Sequence, residues 1–319
     1  MQDITTYKKS KVKKIILITV ITILVLFVAL LVATPFIVMP MMLGQRFEQE
    51  QFDSLNFFDI PSERITLKTD DSLSIVAWRT RAEDSKGTVI ILSGIENPSV
   101  TAFFGYSKML ADNGWDTLLI EMRARSESEG AETGFGMTEW LDVKAGVDFL
   151  SNNTDMGELP IVAMGTSMGG ATVIIAAGEL PEIDAVISIS AFSSFSSMFV
   201  DYMSMSGIPK VISVLDTPFV NMYLGFHFGF GTLNYSPIKS ITKLGERPIL
   251  LMHSTEDTRV PYSHFETLLK EANKNNIDIS TFTREGDNHF MCYEKHFYTP
   301  TADTEFSKAV LDFLNANFQ

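Results

Sequence analysis

Three residues able to cleave an acyl bond in concert occur in the order serine, acid, histidine: Ser167, Asp257 and His289. A serine hydroxyl is a poor nucleophile, so a histidine must take its proton and a carboxylate must orient that histidine and stabilise its imidazolium. Ser167 lies in Gly165-Thr166-Ser167-Met168-Gly169, a G-x-S-x-G pattern that follows the apolar run Ile161-Val162-Ala163-Met164 and precedes the small-residue stretch up to Gly178. This reads as strand, sharp turn, helix. The hydroxyl then sits at the tip of a strained turn, and residues two positions away must be small enough for strand and helix to pass closely. The free N–H groups and dipole of the following helix favour negative charge at the same place. The five-residue pattern alone arises by chance in about one chain in ten of this length, so its flanking elements and downstream partners carry the argument.

The acid follows the apolar strand Ile249-Leu250-Leu251-Met252, in the loop from His253 to Pro261, and Asp257 is assigned to it with Glu256 as the alternative. The base, His289, follows the strand Ile277 to Phe282 in Arg284-Glu285-Gly286-Asp287-Asn288-His289-Phe290. Both loops leave the carboxyl ends of strands, where open α/β sheets bind their ligands. His227, His253, His264 and His296 lack this combination of position and order. An oxyanion needs two donors, which the spacing assigns to the backbone N–H of Met168, the residue after the nucleophile, and of Ile95, after Ser93-Gly94. Cys292 is the single cysteine, which excludes an intrachain disulfide and a zinc site built on several cysteines. No motif calls for a metal or organic cofactor, and none is expected.

The elements needed to hold these residues recur along the chain. Arg64 to Lys68 and Leu73 to Thr80 partly alternate and suggest an antiparallel edge hairpin. Val89 to Leu92, Trp115 to Ile120 and Ala185 to Ile189 read as further strands. Helical stretches are expected over Thr101 to Asp112, Thr138 to Leu150, Tyr262 to Asn273 and Thr304 to Asn317. Strands alternating with helices imply right-handed crossovers and a mostly parallel sheet covered on both faces. About 50 residues, 192–245, are inserted between two strands and are rich in Phe, Met and Tyr. A bare loop of that length is improbable, so a small helical cap is expected there.

The chain has 319 residues, and its amino terminus differs from the rest. Lys8, Lys9, Lys11, Lys13 and Lys14 precede an uncharged run from Ile15 to Gly44, longer than the ~20 residues a bilayer requires. A cleaved signal peptide has an apolar core of only about 7–15 residues, so an uncleaved signal anchor over residues 15–43 is expected. The lysines place the tail, residues 1–14, in the cytoplasm and the main domain outside it. Residues 44–60 read as a connector and 61–319 as the folded domain. The net charge is −14, and because residues 1–43 hold five lysines against Asp3, the remainder carries about −18. Such a surface repels nucleic acid and anionic headgroups.

Taken together, Gly165-Thr166-Ser167-Met168-Gly169-Gly170, Asp257-Thr258-Arg259-Val260-Pro261, Gly286-Asp287-Asn288-His289 and Arg123-Ala124-Arg125-Ser126-Glu127-Ser128 resemble the α/β-hydrolases. They are similar to the serine aminopeptidase and monoacylglycerol-lipase-like branch. The resemblance covers roughly residues 61–319 and implies an α/β-hydrolase fold with a Ser-His-Asp triad. It departs from the family where His-Gly is replaced by Ser93-Gly94, with Glu96 close by, and where two usual glycines are replaced by Ala124 and Ser126. The expected activity is hydrolysis of a carboxylic ester or related acyl bond in a small-molecule or lipid-like substrate. An aminopeptidase-like amide hydrolase, an acyltransferase, or a binding protein on the same body are the alternatives.

Overall fold

The structure, a computed structural model, describes residues 2–95, 98–152 and 159–318. The long helix α1 (Gln2–Leu43) leads into a short turn of helix, α2 (Ser54–Phe58). The hydrolase body then follows as β1 (Glu63–Lys68), β2 (Ser74–Thr80), β3 (Thr88–Leu92), α3 (Phe104–Ala111), β4 (Asp116–Glu121), α4 (Trp140–Ser151), β5 (Ile161–Thr166), α5 (Met168–Glu179) and β6 (Ala185–Ile189). Next come α6 (Phe195–Met205), α7 (Lys210–Phe228) and α8 (Pro237–Ser240), then β7 (Ile249–Ser254), α9 (Ser263–Lys274), β8 (Ile279–Arg284) and α10 (Thr304–Asn317).

The eight strands form one sheet in the order β1-β2-β4-β3-β5-β6-β7-β8. β1 and β2 make the expected antiparallel hairpin at one edge, and β2 also runs antiparallel to β4. All remaining pairs are parallel. β3, β5 and β6 are buried along their whole length, as expected of uninterrupted apolar runs covered on both faces. β7 and β8 run two residues further than expected, to Ser254 and Arg284, so the loops carrying Asp257 and His289 leave from well-ordered strand ends.

Each face of the sheet has its own core. On one side α4, α5 and α9 bury Val143, Val147, Ile174, Phe265 and Leu268 against Ile90, Leu118 and Leu251. On the other, α3 and α10 bury Tyr106, Leu110, Phe306 and Phe313 against Val89, Leu119 and Met164. Each fully buried large apolar side chain contributes ~1.5–3 kcal/mol, so this double layer anchors the strand ends rigidly.

The insertion between β6 and β7 is helical, as its length and apolar content imply. α6 and α7 pack together through Phe199, Met203, Val220 and Leu224, and Met39 and Leu43 of α1 join the same cluster. Within α1, residues 11–43 are long and apolar enough to cross a membrane. Residues 45–60 do more than span distance. Phe47 donates its N–H to Ala124 O at 3.0 Å and accepts that of Ser126 at 2.9 Å, while Phe58 and Ile60 are buried in the core.

Candidate active site

The turn between β5 and α5 holds Ser167 at φ 58 and ψ −119, a conformation that an L-residue adopts only when its surroundings impose it. They do: Ser167 N–H donates to Ile189 O at 2.8 Å, and strand and helix close on either side of it. A Cβ at Gly165 would stand 2.3 Å from Gly169 O, and one at Gly169 would stand 2.4 Å from Ser93 O. The glycines are therefore needed for backbone approach, and the sharp turn exposes the hydroxyl above the sheet.

Asp257 and His289 come from neighbouring strands and meet directly, His289 Nδ1 lying 2.8 Å from Asp257 Oδ2. The other carboxylate oxygen, Oδ1, accepts the N–H groups of Arg259 at 2.8 Å and Val260 at 2.9 Å. Burial pushes the Asp257 pKa up, but these hydrogen bonds and His289 outweigh it, and the net shift is downward. The carboxylate therefore stays charged through the neutral range. Glu256, the alternative acid, is an exposed loop charge.

Ser167 and His289 line a single cavity of about 530 Å³ together with Gly94, Ile95 and Met168. An added Cβ on Gly94 would stand 3.5 Å from Ser167 Cβ, so the end of β3 passes directly beside the serine. Phe135, Phe192, Phe195, Met198 and Phe199 supply apolar walls. A larger cavity of about 640 Å³ lies between α6, α7 and residues 233–239, with Val214 on its wall, but none of Ser167, Asp257 and His289 borders it. Glu96 falls outside the described residues.

Two loops are fastened by contacts that no motif announces. Thr258 N–H donates to Asp287 Oδ1 at 3.1 Å and its hydroxyl to Oδ2 at 2.7 Å, joining the acid loop to the histidine loop. Behind His289, buried Arg284 donates to Asp303 at 2.7 and 2.9 Å and to Met291 O at 2.6 Å. Asp303 also accepts Tyr293 N–H at 3.0 Å. Burial raises the Asp303 pKa, yet Arg284 and the backbone donors bring it down to about 2. Because the folded value is depressed, the stabilisation is full above the unfolded value near pH 4 and is lost as the pH falls towards 2. Asp303→Asn is expected to cost about 1–3 kcal/mol at pH 7, since it removes the buried counter-charge of Arg284 and leaves the guanidinium only Met291 O and the exposed Glu305 at 3.4 Å. Urea midpoints should show the parent's advantage over the variant shrinking between pH 4 and pH 2; an equal gap at both pH values would dismiss the ion-pair account.

Where glycines are usual in the loop after β4, Ala124 takes φ 56 and Ser126 φ 24. The strained shape is held from outside. Arg123 pairs with buried Asp142 at 2.7 Å and with Asp71 at 2.6 Å, Arg125 is buried with its guanidinium 4.9 Å from the Phe47 ring centroid, and the strand-like pairing with Phe47 closes the top. Phe47 also lines the cavity.

His253, His264 and His227 have structural partners. His253 is buried beside the acid, its Nε2 2.9 Å from Val260 O and 3.6 Å from Asp257 Oδ2. His264 accepts Ser193 N–H at 3.1 Å, and His227 meets Glu132. His296 is half-buried at a short helical turn. Cys292 is buried, which pushes its thiol up to about 12 and leaves it inert as a nucleophile. Among the described residues no group of three or more His, Cys, Asp or Glu is arranged to hold a metal ion.

Relatives agree with this body. YqkD of Bacillus subtilis is 27% identical over 243 residues, 76% of this chain and 75% of its own length. The membrane protein YNL320W of Saccharomyces cerevisiae is 25% identical over 233 residues, 70% and 72% of the two chains. The Pyrococcus furiosus esterase Pf2001 superposes with a TM-score of 0.67 at 19% identity, over 87% of this chain and 98% of its own, which establishes the α/β-hydrolase fold. The prolyl oligopeptidase family model matches residues 131–319, the part that carries the serine turn and both partner loops, and the chain belongs to the prolyl oligopeptidase family of serine hydrolases.

Proposed function

We propose that the protein is a membrane-anchored serine hydrolase that cleaves a carboxylic ester through an acyl-enzyme. The observation that carries this reading is the 2.8 Å Asp257–His289 contact at the cavity that Ser167 also lines. Ser167 Oγ attacks the acyl carbonyl while His289 accepts its proton; Asp257 keeps the imidazole oriented and balances its charge. The N–H groups of Ile95 and Met168 receive the oxyanion. His289 then returns the proton to the departing alkoxide, and water, deprotonated by the same ring, releases the acid. The apolar walls favour an acyl chain over a charged peptide. Membership of a peptidase family keeps amide hydrolysis as the second reading.

α1 serves as the anchor in this reading. Its length and composition, the lysines at its start and the yeast relative, which is called a membrane protein, support it. The positive-inside rule puts the lysines in the cytoplasm and the hydrolase body on the other side. Purified full-length protein should be labelled by a fluorophosphonate and should turn over acyl esters faster than matched peptide amides. A folded protein that neither labels nor turns over either substrate would refute the reading, and faster turnover of amides would select the second one.

A further inference from the structure

Only part of α1 stands free of the rest of the protein. Every residue from Lys11 to Leu30 is exposed except half-buried Phe27, whereas Leu31, Pro35, Met39 and Leu43 are buried, and with Phe27 they make a four-residue spacing that turns one face of the helix to the protein. Ahead of Phe27, where that face begins, the apolar stretch of residues 15–26 is 12 residues long. At 1.5 Å per residue it reaches only about 18 Å, against the ~30 Å of a hydrocarbon core. If α1 spans the bilayer, as the proposed function holds, the remaining ~12 Å must be crossed by residues that already carry protein on one face. Lysines that snorkel at the far side shorten this by a few ångströms but do not remove it.

The protein beside that part of α1 is the cap. Phe36 of α1 meets Tyr223 of α7 at 5.3 Å between ring centroids. The outer surface of the cap carries Met205, Val211, Val214, Leu215, Phe226 and Phe230, each at least half exposed. A patch of this kind beside an anchor matches a surface that lies in the membrane interface, where amphipathic elements sink about 5–10 Å. Lys210, next to Val211, pairs with Asp201 at 3.3 Å and has the reach to extend towards headgroups. The rest of the molecule is strongly acidic and is repelled by anionic lipid, which leaves the cap as the face that enters.

The catalytic cavity opens in the same direction. Its lining passes from Ser167 and His289 to Tyr202 and Met205 on α6, both exposed, and to Met42 and Gln45 at the end of α1. We propose that the cap sits in the leaflet on the domain's side, and that the cavity admits the acyl chain of a neutral or zwitterionic lipid ester laterally from that leaflet, with α1 as one wall of the entry. The membrane part rests on the anchor reading, and the substrate part on the serine-hydrolase reading.

The test uses full-length protein in phosphatidylcholine vesicles. Val214→Trp adds a reporter at an exposed site, and its fluorescence should be quenched by bromines on the lipid acyl chains beyond the quenching seen in the parent. Quenching by aqueous iodide instead, or by neither because another protein surface covers the site, would overturn the seating. In parallel, V214E/L215E should lower turnover of a long-chain ester embedded in the vesicles by about tenfold or more, while turnover of a short soluble ester and fluorophosphonate labelling stay at the parent level. Equal turnover of the embedded ester by parent and variant would overturn lateral entry. The quenching experiment needs no catalysis, so an inactive parent that is quenched by lipid would fail the hydrolase reading and the substrate proposal while leaving the seating supported.

Discussion

Ser167→Ala is expected to lower kcat on an activated acyl ester by on the order of 10⁴–10⁶ and to abolish fluorophosphonate labelling, with little change in the unfolding midpoint. The size follows from the chemistry. In the proposed mechanism the serine oxygen forms the new bond to the acyl carbon, and the one thiol cannot replace it, because Cys292 is buried on the other face of the sheet with its thiol pushed up to about 12. Removing one oxygen from a turn held by Ser167 N–H and by backbone approach at Gly165 and Gly169 leaves the fold intact. Turnover within about tenfold of the parent would move the nucleophile elsewhere and sink the assignment.

Asp257→Asn should cost about 10⁴ in kcat while fluorophosphonate labelling slows rather than disappears. The carboxylate acts on the imidazole through Nδ1, 2.8 Å away, and its depressed pKa keeps it charged. An amide at this position is nearly isosteric, so packing survives, but it no longer balances the imidazolium and can present an N–H where an acceptor is required. The sign of the pH effect follows from the depressed value. Ionisation of Asp257 supports activity at neutral pH and is lost only on acidification through its folded pKa, below the usual carboxylate range. Glu256→Gln is the control, since that side chain is exposed and should leave kcat near the parent value. If E256Q showed the large loss and D257N did not, the acid would be the neighbouring residue.

Much of this body could be read from the chain because its signals are local. The apolar run before Gly165, the small helix after it and the Ser, Asp, His order each occupy a few consecutive residues, and they recover a parallel sheet with the serine turn at its centre. That the insertion folds into helices was legible for the same reason: a Phe- and Met-rich insertion cannot stay unfolded in water. Periodicity also recovered α10 to the residue and β6 at both ends. It missed the last two residues of β7 and β8, where polar His253, Ser254, Thr283 and Arg284 continue the ladder. Their pairing with neighbours, rather than their hydrophobicity, keeps them extended.

The amino-acid sequence by itself determined which residues could do chemistry, their order, and an amino-terminal helix apolar enough for a membrane. Only the tertiary structure decided that Asp257 rather than Glu256 faces His289, that Asp303 and Arg284 brace the histidine loop, and that Phe47 shapes the loop where glycines are absent. It also decided that Met39, Met42 and Leu43 of the apolar helix belong to the cap and the cavity rather than to a free anchor. The physical reason is common to all four. Each depends on a contact between residues far apart in the chain, and such contacts leave no trace in local pattern or composition, because they are selected only when packed layers bring distant segments to the same place.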